Sequence, residues 1–266
     1  MAYYKIYTLA LLLTCLPAAM AAPAENNTKQ WFSALDYADI QNGNISITSF
    51  SSKYYFAPQG YAGVWDEFGF LDTDSKVGFQ YTDDDFDRTY SAATEVFVSE
   101  NWFVDVGTAD LSNLNSDYLL GAGYLYDEKL KLSFYHQQSD ESITGLMAEY
   151  NHMLNDIDYI GVALESQNGD EVWSVSSRYF RQTALHHYFT LDIGYTKTAL
   201  QGSTDEVIDV LANYYFGTRF AIGLGSTDSD TVVQTKLFAS KDFYMVGQYT
   251  DADGGDITQI TLVAQF

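Results

Sequence analysis

Apolar and polar side chains alternate with a period of two over most of this chain. In segment 189–195 the odd positions are Phe, Leu, Ile and Tyr, and the even positions are Thr, Asp and Gly. Segment 220–225 alternates Phe, Ile and Leu with Ala and Gly. Successive side chains of a β-strand point to opposite faces, so this pattern predicts strands with one apolar face. No stretch with a convincing helical period accompanies it.

Sixteen strands are predicted, and most are about as long as the ~9–11 residues that a tilted strand needs to cross a bilayer. Their spans are 31–39, 44–57, 64–82, 89–99, 102–110, 117–127, 130–138, 142–154, 157–166, 171–181, 187–198, 205–216, 219–226, 231–240, 243–251 and 256–266.

Two kinds of connection alternate between these strands. One kind is tight, as at Asn155-Asp156, and the other is mostly longer or richer in Gly and acids, as at 83–88. Short turns on one rim and longer loops on the other are typical of outer-membrane barrels. The expected fold is therefore all-β, a closed antiparallel transmembrane β-barrel of about 16 strands, with 12 to 14 as the next choices. The short turns are expected on the periplasmic side and the longer acidic loops outside the cell.

The amino terminus has the composition of a secretory signal peptide. An apolar core, Ile6 to Leu16, precedes Pro17 and several alanines. We therefore expect residues 1–21 to be a cleaved signal peptide and residues 22–266 to form the barrel. Cys15 is the sole cysteine, so the mature chain would carry no disulfide and no thiolate site.

Composition excludes several classes of protein. With aromatic residues at 16%, the chain is too aromatic for a disordered protein. A formal net charge of −23 with only 13 Lys and Arg argues against nucleic acid as a partner. Past Ala21 no window of about 18 apolar residues occurs, which excludes transmembrane helices but not barrel strands.

One passage resembles a known family, and the carboxyl-terminal strand resembles a signal common to outer-membrane barrels. Tyr54-Tyr55-Phe56-Ala57-Pro58 precedes Glu67-Phe68-Gly69-Phe70-Leu71 and then Ser75-Lys76-Val77. This passage is similar to one in the general bacterial porins of gammaproteobacteria, although 63–66 reads Gly-Val-Trp-Asp where that family commonly has a proline and alanines. The terminal Phe266, after Ile260, Leu262 and Ala264, looks like the strand signal read by the barrel-insertion machinery. The resemblance implies an outer-membrane pore of bacteria and no particular solute.

If the apolar positions face lipid, the alternate positions face a lumen, and many of them are charged. The predicted pore-lining residues are Asp36, Lys53, Asp72, Asp74, Lys76, Glu95, Asp105, Lys131, Glu149, Glu165, Arg178, Asp192, Asp209, Arg219 and Lys236. Because acids outnumber bases in this set, the pore is expected to prefer cations weakly. The alternative is that these charges pair across strands and stiffen the wall. Asp72, Asp74 and Lys76 would share one strand face and form part of a constriction.

The expected mechanism is passive diffusion of small polar solutes through a water-filled channel, with outer-membrane lipid and lipopolysaccharide as surroundings. No long loop is expected to fold into the pore, since the longest candidate, 199–204, is too short. No cofactor and no metal are expected, and the acidic run 83–87 lacks the glycine of a calcium loop. The oligomeric state, monomer or trimer, stays open.

Two alternatives come from other classes of protein. An outer-membrane β-barrel enzyme of the lipase or protease type would need a set such as Ser133, His136 and Asp140 to meet in space. A secreted β-sandwich binding protein would have many short strands but no closed sheet.

Overall fold

The structure, a computed structural model, is a single closed sheet in which every strand pairs antiparallel with its neighbours in sequence. It describes residues 28–41, 45–113, 117–139, 142–168, 172–200, 203–252 and 254–266. The predicted signal peptide, 1–21, lies outside the described residues. The strands are β1 (Thr28–Ile40), β2 (Ile45–Gly60), β3 (Lys76–Asp83), β4 (Arg88–Phe97), β5 (Trp102–Thr108), β6 (Tyr118–Tyr126), β7 (Leu130–Gln138), β8 (Ser142–Met153), β9 (Tyr159–Gln167), β10 (Val172–Ala184), β11 (His187–Leu200), β12 (Ser203–Tyr215), β13 (Phe220–Thr227), β14 (Asp230–Phe238), β15 (Phe243–Asp251) and β16 (Ile257–Gln265).

Pairing of the first strand with the last closes the barrel. β1 and β16 run in register from Phe32 opposite Gln265 to Ile40 opposite Ile257. Closure removes the free edges that an open sheet would expose. It also excludes the open-edged β-sandwich that the short strands alone allowed.

The period of two separates the two faces of the sheet. On β13, Ile222 and Leu224 are exposed on the outside, whereas Ala221, between Phe220 and Ile222, is fully buried inside the barrel. The same alternation of exposed apolar side chains continues around the barrel. In a bilayer this outer face meets hydrocarbon, so its exposure to solvent in the isolated chain is the expected state.

The predicted strands are confirmed with one exception. Strands β7 and β15 begin and end where the pattern places them, and most other ends differ by one to three residues. The third strand, predicted over 64–82, was wrong in its first half, because β3 begins at Lys76. Among the described residues, the helical content is a 3-10 turn at Leu111–Asn113, and no helix is long and apolar enough to cross a membrane.

Residues 61–75, here called the lumen segment, join β2 to β3 and fold into the barrel. The backbone turns back on itself, with Ala62 N–H donating to Glu67 O at 2.7 Å and Val64 N–H donating to Ala62 O at 2.9 Å. Gly63 has a φ of 79°, a left-handed conformation that costs a residue with a side chain about 1–2 kcal/mol. A Cβ on Gly63 would also lie 2.4 Å from the Tyr188 ring. Glycine is therefore required where the segment enters the barrel.

Val64 anchors the lumen segment in a buried apolar cluster. Its side chain has no exposed surface. The cluster around it contains Tyr159, Phe180, Tyr188, Tyr215, Ala221 and Phe238. All of these wall residues lie at the end of the barrel where the chain termini are, here called the terminal rim, and the opposite end is the loop rim. At the terminal rim, the part of the lumen next to these wall residues is thus filled with side chains.

The lumen segment overturns the expectation that no connection folds into the pore. It is the longest connection between described strands, and it belongs to the rim for which tight turns were predicted. Gln265 of β16 also holds it, since the Gln265 amide donates to Trp65 O at 2.6 Å and to Lys241 O at 2.8 Å. The strand that closes the barrel therefore also fixes the segment inside it.

Candidate pore lining

Most of the residues predicted to line a pore occupy inward positions of the strands, alternate to the exposed apolar ones. These are Asp36, Lys53, Lys76, Glu95, Asp105, Lys131, Glu149, Glu165, Arg178, Asp192, Asp209 and Lys236. Three residues differ from the prediction. Asp72 and Asp74 are in the lumen segment and not on a strand, and Arg219 is exposed in the connection between β12 and β13.

The carboxylate of Asp72 is the centre of a first ionic group. It accepts a hydrogen bond from the Tyr55 hydroxyl at 2.7 Å and one from the Lys76 ammonium, and Lys53 Nζ is 3.7 Å from its Oδ2. Burial of Asp72 opposes its ionisation, but attraction to Lys76 and Lys53 outweighs this effect and lowers the pKa to about 2. Asp74 lies apart from this group and accepts from the Gln59 amide at 2.9 Å. The predicted trio thus contains one pair that meets, Asp72 with Lys76.

Lys131 extends this group across the barrel wall. Its ammonium is 2.6 Å from Glu95 Oε2, with both side chains buried, and it donates to Asp72 O at 2.9 Å. Lys131 is opposite Glu149 in the strand register, and Glu95 is opposite Asp105. Removal of either partner of this buried pair would be destabilising, because the other charge would be left without compensation.

A second ionic group holds the other side of the lumen segment. Three of its members, Arg178, Asp192 and Lys236, were among the pore-lining residues predicted from the sequence. Asp66 Oδ2 lies 2.7 Å from Lys236 Nζ and accepts from the Tyr215 hydroxyl at 3.1 Å. Glu67 Oε2 lies 3.5 Å from Arg178 Nη1.

Arg178 continues this group along the wall, because its Nε is 2.6 Å from Asp192 Oδ1. Burial raises the pKa of the Glu67 carboxyl, although Arg178 and the Tyr159 hydroxyl act in the opposite direction. The adjacent acids inside an aromatic run, 65–70, were the sequence signal that could have indicated these anchors.

Three inward acids toward the loop rim are bonded to neutral groups. Asp36 accepts from the Thr261 hydroxyl at 2.5 Å, and Asp209 accepts from the Thr227 hydroxyl. Glu165 accepts from the Tyr135 hydroxyl and from the Gln167 amide at 3.1 Å. Neutral donors stabilise a carboxylate without cancelling its charge. Among the described residues, the inward bases form ion pairs with other acids, namely Asp66, Glu67, Asp72, Glu95 and Asp192.

The crest of the lumen segment, Phe68-Gly69-Phe70, separates two cavities. One cavity, of about 570 Å³, lies between Phe68 and the wall of β1 to β7. The other, of about 440 Å³, lies between Phe70 and the wall of β10 to β12. Gly69 lines both, with a φ of 93° and open space where a Cβ would be.

Two members of the set named for the enzyme alternative, Ser133 and His136, do not meet in the structure. Ser133 is opposite Gly123 and Met147 on the inward face of β7, whereas His136 is one of the outward positions that alternate with it. Side chains on opposite faces of one strand cannot form a hydrogen-bonded pair. Asp140 lies outside the described residues.

The acidic connection between β3 and β4 forms a turn. Asp84 Oδ1 accepts from the backbone N–H of Phe86 at 3.1 Å and of Asp87 at 2.8 Å, and Asp85 Oδ2 accepts from Ser46 N–H at 2.8 Å. Within the described parts of the chain, no group of three or more His, Cys, Asp or Glu side chains is placed to hold a metal ion.

A closed barrel of sixteen strands with an apolar outer face and a charged interior defines the class of outer-membrane porins. The chain belongs to the family described as "Putative general bacterial porin", whose model matches residues 4–253. This family and the fold place the protein in the bacterial outer membrane. A search of curated proteins found no match for the sequence.

Solved structures of outer-membrane proteins share the fold at low sequence identity. Omp33 of Acinetobacter baumannii is 12% identical with a TM-score of 0.57, and the match covers 91% of this chain and 100% of that one. A triple mutant of the Rhodopseudomonas blastica porin is 10% identical with a TM-score of 0.57, covering 89% of this chain and 99% of that one.

Proposed function

We propose that this porin admits small polar solutes and ions by passive diffusion, prefers cations weakly, and restricts flux with the lumen segment. No chemical step is part of this proposal. The loop rim would face the outside of the cell and the terminal rim the periplasm. Outer-membrane lipid and lipopolysaccharide would surround the barrel, and the insertion machinery would bind the strand that ends in Phe266.

One observation carries the cation preference. Inward bases are in ion pairs, whereas Asp36, Glu165 and Asp209 are hydrogen-bonded to neutral groups and not to bases. A cation that enters from the loop rim meets these carboxylates before it reaches any of the paired bases. Rings of carboxylates in a pore favour cations.

The restriction of flux follows from the packing at the terminal rim. Val64 of the lumen segment and Phe103 and Phe180 of the wall are almost completely buried inside the barrel. An eight-stranded barrel is filled by its own side chains, but a sixteen-stranded one has room for an aqueous channel. The lumen segment occupies much of that room, so we expect a small conductance while it is docked.

The test is the current through the refolded protein in a planar bilayer under a salt gradient. We expect small steps with a reversal potential on the cation side. The variant D36N/E165Q/D209N should move the reversal potential toward zero, because it removes the three acids that have neutral partners. The control is E100Q/D127N/E128Q, which removes three exposed acids at the terminal rim and should leave the reversal potential unchanged.

Two results would contradict this proposal. A reversal potential on the anion side would show that the inward bases, and not these acids, set the selectivity. A correctly folded barrel that passes no current, even after the lumen segment has been undocked, would show that the protein is not a channel.

A further inference from the structure

The larger of the two cavities exists because one part of the wall carries almost no side chain. Gly78 of β3, Ala93 of β4 and Gly107 of β5 are opposite one another in the strand register, and Lys53 of β2 is opposite Gly78. The resulting cavity of about 570 Å³ is within the ~300–1,000 Å³ typical of small-molecule sites. It opens toward the loop rim, where its wall includes Thr108 at the end of β5.

One ammonium and one carboxylate line this cavity. They belong to Lys53 and Asp72, and the other lining side chains are uncharged. The two groups are 3.7 Å apart, which is beyond hydrogen-bond distance, and their side chains are 47% and 36% exposed. By contrast, Lys131 and Glu95 are 2.6 Å apart and buried. Asp72 is also held by Lys76 and by the Tyr55 hydroxyl, so Lys53 is the loosely held member of the pair, and both groups are accessible from the cavity.

An aromatic floor lies beside this ion pair. The rings of Phe32 and Phe68 pack edge to face with their centroids 4.8 Å apart, and both line the cavity. The amides of Gln80 and Gln137 line the cavity on the side of the loop rim. The site thus combines both signs of charge, an apolar surface and neutral hydrogen-bonding groups.

We propose that this cavity binds a zwitterionic solute with an apolar group, that is, a free apolar amino acid. The solute carboxylate would contact the Lys53 ammonium, the solute ammonium would contact the Asp72 carboxylate, and the apolar group would lie on Phe68. A solute of a single charge satisfies one of the two groups and leaves the other facing a like charge. This inference rests on the proposed channel function and names its solute class.

The second cavity does not offer the same site. Its ion pair, Arg178 with Asp192, is already closed at 2.6 Å, and Arg178 is also held by Glu67. A solute carboxylate would have to displace one of these contacts on Arg178, whereas Lys53 has its ion-pair partner 3.7 Å away. The proposal is therefore confined to the cavity beside Phe68.

The experiment measures binding by titration calorimetry on the full barrel in detergent. The probes are L-leucine, N-acetyl-L-leucine, which lacks the ammonium, and L-leucinamide at slightly acidic pH, which lacks the carboxylate. We expect each singly charged probe to bind at least about tenfold more weakly than L-leucine, since each loses a charge-assisted contact. Equal binding of the three probes, or no binding of L-leucine, would overturn the proposal.

Two variants test the location of the site. Lys53→Met removes the ammonium and should weaken L-leucine binding about tenfold, whereas L-leucinamide binding should not weaken, because its ammonium no longer faces a like charge. Lys197→Met is the matched control, because Lys197 lies near the loop rim with Glu206 and does not line the cavity. Ala93→Leu should block all three probes, because it fills the cavity without removing a charge.

Channel recordings separate this proposal from the channel function itself. If salt currents are present but L-leucine neither binds nor blocks them, the zwitterion site is wrong and the porin function stands. If the folded protein passes no current after the lumen segment is undocked but binds L-leucine in preference to both analogues, the site stands and the channel function fails.

Discussion

Glu67 and Tyr159 join the lumen segment to the barrel wall through a hydrogen bond in which the Tyr159 hydroxyl lies 2.5 Å from Glu67 Oε1. Both side chains are almost completely buried. Burial raises the pKa of the Glu67 carboxyl despite the opposing attraction of Arg178. An undocked segment would expose Glu67 to water and return its pKa to the ordinary range near 4.5. Docking and proton uptake by Glu67 are therefore linked.

Acidification should tighten the docking of the lumen segment. A carboxyl whose pKa is higher in the docked state stabilises docking once it is protonated, and this stabilisation is lost as the pH rises through the raised pKa. Protonation of Asp72 would have the opposite effect on docking. Its pKa of about 2 means that the ionised form stabilises docking, and this stabilisation is lost only when the pH falls toward that value. Between neutral pH and the ordinary Glu value of 4.5, Glu67 is the one of these two acids that takes up a proton on docking, so the conductance of the channel should fall as the pH is lowered over this range.

Glu67→Gln is the variant that checks this pH dependence, because glutamine resembles the protonated acid in shape. The conductance of the variant should be low and nearly independent of pH over the same range. A Glu206→Gln variant at the loop rim, where the acid is more than half exposed, should keep the response of the wild type. A conductance that rises on acidification would show that the ionised form of Glu67 is the one that holds the segment.

Asp66→Asn should undock the lumen segment. It leaves Lys236, whose side chain is 17% exposed, with the Tyr215 hydroxyl as its remaining partner in the second ionic group. Loss of one partner of a buried ion pair costs about 3–5 kcal/mol, because the other charge remains without compensation. We expect larger single-channel steps. Asp228→Asn, at an exposed turn of the loop rim, is the control, and equal steps from both variants would contradict the anchoring role.

The alternation of apolar and polar residues was sufficient to predict the barrel because lipid-facing and lumen-facing residues obey a strict period. The strand β9, predicted at 157–166 and observed at Tyr159–Gln167, is representative. The same rule placed Lys131 and Glu95 on the inward face, where they form a buried pair. Which inward charges would pair was not predictable, because that depends on the register between strands and on what fills the lumen.

The lumen segment escaped prediction because its sequence also alternates. Phe68 and Phe70 flank Gly69 with the alternation of a strand. The third strand was predicted over 64–82, which is much longer than the ~9–11 residues needed to cross a bilayer. This excess length was the sign that the prediction was wrong. Both glycines of the segment, Gly63 and Gly69, adopt positive φ, which breaks a strand. Local pattern cannot distinguish an apolar residue that faces lipid from one, such as Val64, that packs inside the barrel.

Gly63→Ala and Gly69→Ala should differ in their effect on the lumen segment. Both add a side chain at a positive φ, a cost of about 1–2 kcal/mol. Gly63→Ala also forces the Tyr188 ring away, whereas the new Cβ at Gly69 meets open space. Hydrogen exchange of the backbone amides in 61–75, read by mass spectrometry, should accelerate more for Gly63→Ala. Equal acceleration would show that the contact with Tyr188 does not limit docking.

Leu164→Arg and Ala163→Arg test the assignment of the two faces on one strand. Leu164 is half exposed on the outer face of β9, and an arginine in the middle of a lipid-facing strand costs about 2–4 kcal/mol. Ala163 is opposite Glu149 in the register, so an arginine there enters the lumen beside a carboxylate. The measurement is the fraction of compact barrel after refolding into lipid, which is the faster band of an unboiled sample on a denaturing gel. This fraction should drop for Leu164→Arg and stay near that of the wild type for Ala163→Arg. The reverse order would mean that the apolar face of β9 points inward.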